Sequence, residues 1–192
     1  MGVNKLKKNI ISGKEGHNIG VSTGLPNLDG VLYGIQRRYL YTIGADTSGG
    51  KTSFALDVFV YNLLRNAEKN NTDINILYYS FEMAEEVLYA KLLSRYIWDE
   101  FNEIITFEDI LSLTSPISDK ELETVNKSMS WLEKIEKQIT IYDKPIPPLK
   151  IYGTLKGWLS RFGDFVPINE HVEHYKEHDS SAYKIALIDH VG

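Results

Sequence analysis

Eight consecutive residues carry the most specific chemistry in the chain: Ala45-Asp46-Thr47-Ser48-Gly49-Gly50-Lys51-Thr52, followed by Ser53. Their spacing is that of a phosphate-binding loop, with alanine in place of the first glycine. Glycines let a backbone fold round phosphates with its N–H groups turned inward. A helix opening at the loop offers its positive N-terminal end to the same anion. In such a loop Lys51 reaches the β- and γ-phosphates. The Thr52 hydroxyl takes one position around Mg2+, a hard cation that prefers oxygen ligands. The ligands implied are ATP and Mg2+. Ala45 adds only a methyl group, at a position that shapes the turn rather than touching the transferred phosphate. The plainer reading is a glycine-rich turn that happens to precede a helix. Against it stands the order of strand, loop and buried helix around these residues.

Two carboxylates extend the constellation. Asp189 ends the apolar run Ile185-Ala186-Leu187-Ile188. An acidic residue there can order Mg2+ through water, and open parallel sheets bind ligands at that edge. The alternative is an aspartate capping an ordinary turn. Glu82 follows a second apolar run in Tyr79-Ser80-Phe81-Glu82-Met83. A carboxylate in that place can orient and polarise an attacking water, or it can simply open the next helix and favour its dipole. His171, His174 and His178 fall on one side of a possible helix at spacings that could meet a metal. Glu170, Glu173, Glu177 and Asp179 surround them, and a solvated polar segment is the simpler reading. Trp98, Trp131 and Trp158 lie in apolar helical patterns and read as core rather than base-stacking platforms.

The elements that must position these groups follow from periodicity. Residues 39–43 form an aromatic, β-branched run that predicts a buried strand. Residues 52–66 are apolar on nearly every side, as in a helix covered all round. Ile74 to Tyr79 predicts a second strand, and Glu85–Phe101 carries apolar residues at helical spacing. Ser118 and Glu121 have the form of a capping box, opening a helix to about Glu136 before a strand at Ile139–Tyr142. Pro145, Pro147 and Pro148 turn the chain into a helix over 149–162, weakened by Gly153 and Gly157. A polar excursion then precedes the last strand. Strands alternating with helices predict an α/β fold with a mostly parallel, doubly wound sheet.

Composition sets the outer bounds. With 192 residues, one domain is expected, running over 21–192 and preceded by a flexible arm or linker at 1–20. A formal charge of −5 leaves any grip on nucleic acid to a local patch. The compact basic cluster Lys5, Lys7 and Lys8 reads as a solvated terminus. The absence of cysteine excludes disulfides and thiolate metal sites. No apolar run is long enough to span a bilayer, and no secretion signal opens the chain, so a cytoplasmic location is expected.

In chain order, Ser22-Thr23-Gly24-Leu25-Pro26-Asn27-Leu28-Asp29, the loop ending Gly50-Lys51-Thr52-Ser53-Phe54-Ala55, Ser80-Phe81-Glu82-Met83 and Leu187-Ile188-Asp189 resemble a known pattern. It is that of the RecA-like C-terminal domain of DnaB-type replicative helicases, phage forms in particular. The resemblance covers 21–192 and implies a RecA-like P-loop NTPase core. It also implies Glu82 as catalytic base beside Lys51, and ATP hydrolysis that drives single-stranded DNA through a homohexameric ring. Primase or other replisome proteins are the implied partners.

By the same resemblance, a glutamine sensor, DNA-contacting loops and an arginine finger would lie past Gly192, and the N-terminal primase-interacting domain of that family is expected to be missing from these residues. The expectation is therefore an incomplete domain with weak hydrolysis of its own. The chain departs from the pattern at Gly34-Ile35-Gln36-Arg37-Arg38 and in an enlarged stretch at 167–181. Two other readings stay open. One is a RecA/RadA recombinase or KaiC-like ATPase, and the other is a nucleotide-binding accessory module without turnover.

Overall fold

The computed structural model describes residues 2–14, 18–46, 48–170 and 172–189, which divide into two compact units, Met1–Asn71 and Thr72–Gly192. Among the described residues no helix is long and apolar enough to cross a membrane.

The first unit opens with helix α1 (Gly2–Lys14), where the sequence pattern predicts an aperiodic arm. Val3, Leu6 and Ile10 recur at helical spacing, a stripe obscured by the lysines and the glycine between and after them. All three remain more than half exposed. Helix α2 (Pro26–Leu32) occupies part of what reads as a turn-rich stretch. Proline at its first turn suits a position whose N–H has no helical acceptor. Tyr33 ends it in the left-handed region, its N–H donating to the Asp29 carbonyl. A two-residue bridge between Val21 and Ile35 closes the segment around it.

Helix α3 (Lys51–Leu56) continues through a π-helical turn (Asp57–Tyr61) into α4 (Asn62–Lys69). Leu56, Val58, Phe59, Val60, Tyr61, Leu63 and Leu64 are all buried, as the apolar character of this stretch requires. Residues 39–43, by contrast, form no strand, and Tyr39 and Leu40 are 70% and 92% exposed. β-propensity describes how well side chains fit a paired, half-buried surface and does not create the pairing. Tyr41 instead lies 6.2 Å from the Phe59 ring, and its hydroxyl accepts from the Gln36 N–H at 2.9 Å.

The second unit is built on a three-stranded parallel sheet in the order β2-β1-β5, comprising β1 (Ile74–Ser80), β2 (Ile139–Tyr142) and β5 (Tyr183–Asp189). β1 is central, pairing Ile76 with Ile139 on one side and Ser80 with Asp189 on the other. Its side chains are buried almost throughout, on both faces, as a parallel strand covered on both sides must be. On the face of Leu77 and Tyr79 lies Trp158 of α8 (Pro148–Leu159), with Ile151 and Leu155 packed alongside. The two glycines do not break α8. Tyr79 links the layers by sharing a 2.7 Å hydrogen bond with Thr154.

Between β1 and β2 run α5 (Glu85–Phe101), α6 (Phe107–Ile110) and α7 (Asp119–Glu136). The capping box at Ser118 and Glu121 forms as expected, and α6 carries a second one at Thr106 and Asp109. Tyr96 stacks on Trp131 with ring centroids 4.3 Å apart, tying α5 to α7. Trp131 and Trp158 are core residues, but Trp98 is 45% exposed. It follows buried Ile97, and one residue along a helix is a rotation of about 100° away from the buried face.

The expected polar excursion is an antiparallel hairpin, β3 (Gly163–Asn169) and β4 (Val172–Glu177). Phe165 and Tyr175 face each other across it, ring centroids 5.1 Å apart, and Lys156 of α8 forms an ion pair with Glu173.

Candidate functional site

The loop at 45–53 lies in the first unit. Thr47 falls outside the described residues. Gly50 caps α3 at φ +78°, a left-handed conformation open to glycine at little cost. Gly49 donates its N–H to the Asp46 carbonyl at 2.9 Å. A β-carbon at Gly49 would stand 2.8 Å from that same oxygen and 3.0 Å from the Ala45 methyl. The turn is therefore closed too tightly for a side chain at that point. The Lys51 Nζ folds back over the loop and donates to the carbonyls of Ala45 at 3.1 Å and Asp46 at 3.2 Å.

Lys51 and Thr52 are half-buried, while Ala45, Asp46, Ser48, Gly49, Gly50 and Ser53 are exposed. A tight turn, a helical run opening from it, a cation across its mouth and a hydroxyl in the first helical turn together suit a polyphosphate with its divalent cation. The residues present fit ATP with Mg2+. An incoming anion would compete with two neutral carbonyls for the ammonium, an exchange that favours the charged partner.

The segment leading to this loop is held by its own hydrogen bonds. Asp29 accepts from the Ser22 hydroxyl at 2.6 Å and from the Thr23 N–H and hydroxyl at 2.8 Å each. Burial pushes the Asp29 carboxyl up, but the bonds from Ser22, Thr23 and the Gly24 backbone outweigh it and hold the group below its ordinary value. Asn66 of α4 donates to the Ser22 carbonyl at 2.9 Å. The Ser22 to Asp29 motif is thus a clasp onto the helical run that starts at the loop.

Glu82 and Asp189 lie in the second unit, at the carboxyl edge of the neighbouring strands β1 and β5. Asp189 is the last residue of β5, in register with Ser80. Glu82 is exposed and lies two residues past β1. The turn that carries it is tied by Ser80, whose hydroxyl donates to the Met83 carbonyl at 2.6 Å and accepts from the Met83 N–H at 3.2 Å. Helix α5 begins only at Glu85, whose N–H is taken by the Asp143 carboxylate at 3.2 Å. Glu82 therefore precedes the first turn of that helix rather than belonging to it.

One residue of this edge escaped sequence reasoning. The Tyr78 hydroxyl donates to Asp189 Oδ2 at 2.9 Å, from a side chain only 1% exposed. Burial first, then the Asp189 charge and the hydrogen bond to it, push the phenol well above its ordinary value. The sequence signals only that a tyrosine in a buried strand needs a partner for its phenol; which residue supplies it depends on the register of β1 against β5.

The helical placement of the histidines is corrected. His174 lies on β4 and His178 just beyond it, in a hairpin rather than on a helix, and His171 is outside the described residues. His178 Nε2 instead meets the Asp164 carboxylate at 3.0 Å. Among the described residues no three His, Cys, Asp or Glu side chains cluster to hold a metal.

Comparison with known proteins adds a lineage to this geometry. Residues 20–152 match the DnaB-like helicase C terminal domain, a stretch that contains the loop and Glu82 but neither the hairpin nor Asp189. The chain is 34% identical over 96 residues to the replicative DNA helicase DnaB of Rickettsia typhi, covering 48% of this chain and 18% of that protein. It is 40% identical over 88 residues to the replicative DNA helicase DnaB of Pasteurella multocida, covering 44% and 18%. It is 35% identical over 80 residues to the replicative DNA helicase DnaC of Bacillus subtilis, covering 42% and 16%. The chain spans under a fifth of the length of these relatives.

Proposed function

The chain belongs to the DnaB-like helicase C-terminal domain family, and from that premise we propose that it is the nucleotide-hydrolysing part of a replicative DNA helicase motor. The proposed family domain covers 21–192, with residues 1–20 as the connecting segment. In this reading the backbone of 45–50 and the Lys51 ammonium hold the β- and γ-phosphates of ATP. Thr52, through its hydroxyl, and Asp189, through its carboxylate, are the residues that would hold Mg2+. Mg2+ held there would supply positive charge to offset that of the phosphate oxygens. Glu82 orients the attacking water and accepts its proton. In the complete protein, turnover at each subunit of a homohexamer would move single-stranded DNA through the ring, with primase as a neighbour.

The observation that carries this reading is the closed turn at Gly49 and Gly50 with Lys51 folded across it, at the start of a buried helical run. Titration calorimetry tests it. ATP with Mg2+ should give saturable heat with the wild-type chain, and Lys51→Ala should weaken binding by about tenfold or more, since a charge-assisted contact to phosphate is lost. Identical titrations for the two proteins, or no heat from either, would sink the assignment. Glu82→Gln should keep wild-type affinity and lose turnover. Binding without hydrolysis in both forms, even beside a partner that donates an arginine finger, would instead identify an accessory module.

A further inference from the structure

We propose that Tyr78 is a positioning residue: its buried phenol donates to Oδ2 and so fixes the Asp189 carboxylate that would serve Mg2+. This inference rests on the metal role proposed for Asp189 above.

The geometry runs through the sheet. β1 and β5 pair in parallel with Tyr78 opposite Leu187 and Ser80 opposite Asp189. Side chains two residues apart along a strand share a face, so Tyr78 and Asp189 are diagonal neighbours across the ladder. The tyrosine ring is packed in the core, at 1% exposure, and its hydroxyl reaches the end of the adjacent strand at 2.9 Å. Asp189 is half-buried and stands in register with Ser80, the last residue of β1. A carboxylate on a short side chain in that place has two torsions to settle. A rigid donor from the middle of β1 removes that freedom before any ligand arrives, the service that outer partners of metal-binding carboxylates perform.

A purely structural account is also available, in which Asp189 merely satisfies a buried phenol. The two differ in what they predict for Tyr78→Phe, which keeps the ring and its packing and deletes only the donor. If the phenol positions the carboxylate, the variant loses part of the coupling between nucleotide and Mg2+. If it is only a satisfied core group, the variant changes thermal stability and leaves that coupling intact.

The experiment titrates a fluorescent, non-hydrolysable N-methylanthraniloyl ATP analogue into the full chain, once in EDTA and once in saturating Mg2+. The ratio of the two dissociation constants measures the metal's contribution without reference to turnover. Tyr78→Phe should bind the analogue in EDTA like the wild type and lose about tenfold of the Mg2+-dependent gain, the lower end of what a lost outer partner costs. Asp189→Asn should lose more of it. If Asp189→Asn loses the gain while Tyr78→Phe keeps it in full, the positioning role is overturned and the metal site stands. If Asp189→Asn keeps the gain, or the wild-type chain binds no analogue, the reading beneath the proposal fails and the proposal goes with it.

Discussion

Replacing the two loop glycines one at a time separates two kinds of constraint on nucleotide binding. Gly50 sits at φ +78°, and a β-carbon added there would meet nothing within 4 Å. Gly50→Ala therefore carries only the backbone cost of a side chain in the left-handed region, about 1–2 kcal/mol. The loop is exposed, so the free protein can relieve that strain by shifting the turn. The cost then falls on binding, which has to restore the turn, and affinity drops by about five- to thirtyfold. Gly50→Asn, better suited to left-handed geometry, should lose less.

Gly49 is different. Its β-carbon would stand 2.8 Å from the Asp46 carbonyl oxygen and 3.0 Å from the Ala45 methyl, so the turn must open by several tenths of an ångström around backbone atoms. Opening also weakens the 2.9 Å bond from the Gly49 N–H to Asp46 and displaces the carbonyls that hold Lys51. Gly49→Ala should bind more weakly than Gly50→Ala. Fluorescent ATP titration in Mg2+ reads the order, and circular dichroism melts check that the fold is unchanged. Wild-type affinity in Gly50→Ala, or binding by Gly49→Ala as tight as by Gly50→Asn, would refute the reasoning.

Trp158→Ala should cost about 3–5 kcal/mol in urea unfolding, because the ring is 4% exposed and packs α8 on Leu77 and Tyr79 of β1. A loss under about 1 kcal/mol would show that α8 contributes little to the second unit. Ser118→Ala should lower the melting temperature by a few degrees at neutral pH through loss of the α7 capping box. Bonds from the Ser118 hydroxyl and backbone hold the Glu121 carboxyl below its ordinary value. Its contribution is present above the unfolded-state pKa and lost as pH falls through the depressed folded value. The gap between wild type and Ser118→Ala should therefore narrow below about pH 4, and a gap independent of pH would exclude the carboxylate's part in the cap.

What the sequence determined by itself is what local interactions decide. The loop at 45–53 is written in residue types at fixed spacing, and the run of apolar residues behind it can only be a covered helix. Ser118 and Glu121 close their capping box within a single turn, so the sequence predicts α7 at the position where it forms. β1, β2 and the Asp189 end of β5 announced themselves as short β-branched and aromatic runs between turns. Only the tertiary structure decided which of those runs would be paired. Residues 39–43 have strand composition but find their contacts in Gln36 and Phe59, whereas most of the polar stretch at 166–181 enters a hairpin that starts at Gly163. That hairpin gains from contacts outside itself, the Lys156 ion pair and the bond from the Tyr175 hydroxyl to the Leu159 carbonyl. The bond between Tyr78 and Asp189 joins residues 111 apart in sequence. No local period encodes such a pair. It exists because parallel pairing of β1 and β5 sets their register, and register is a property of two strands together.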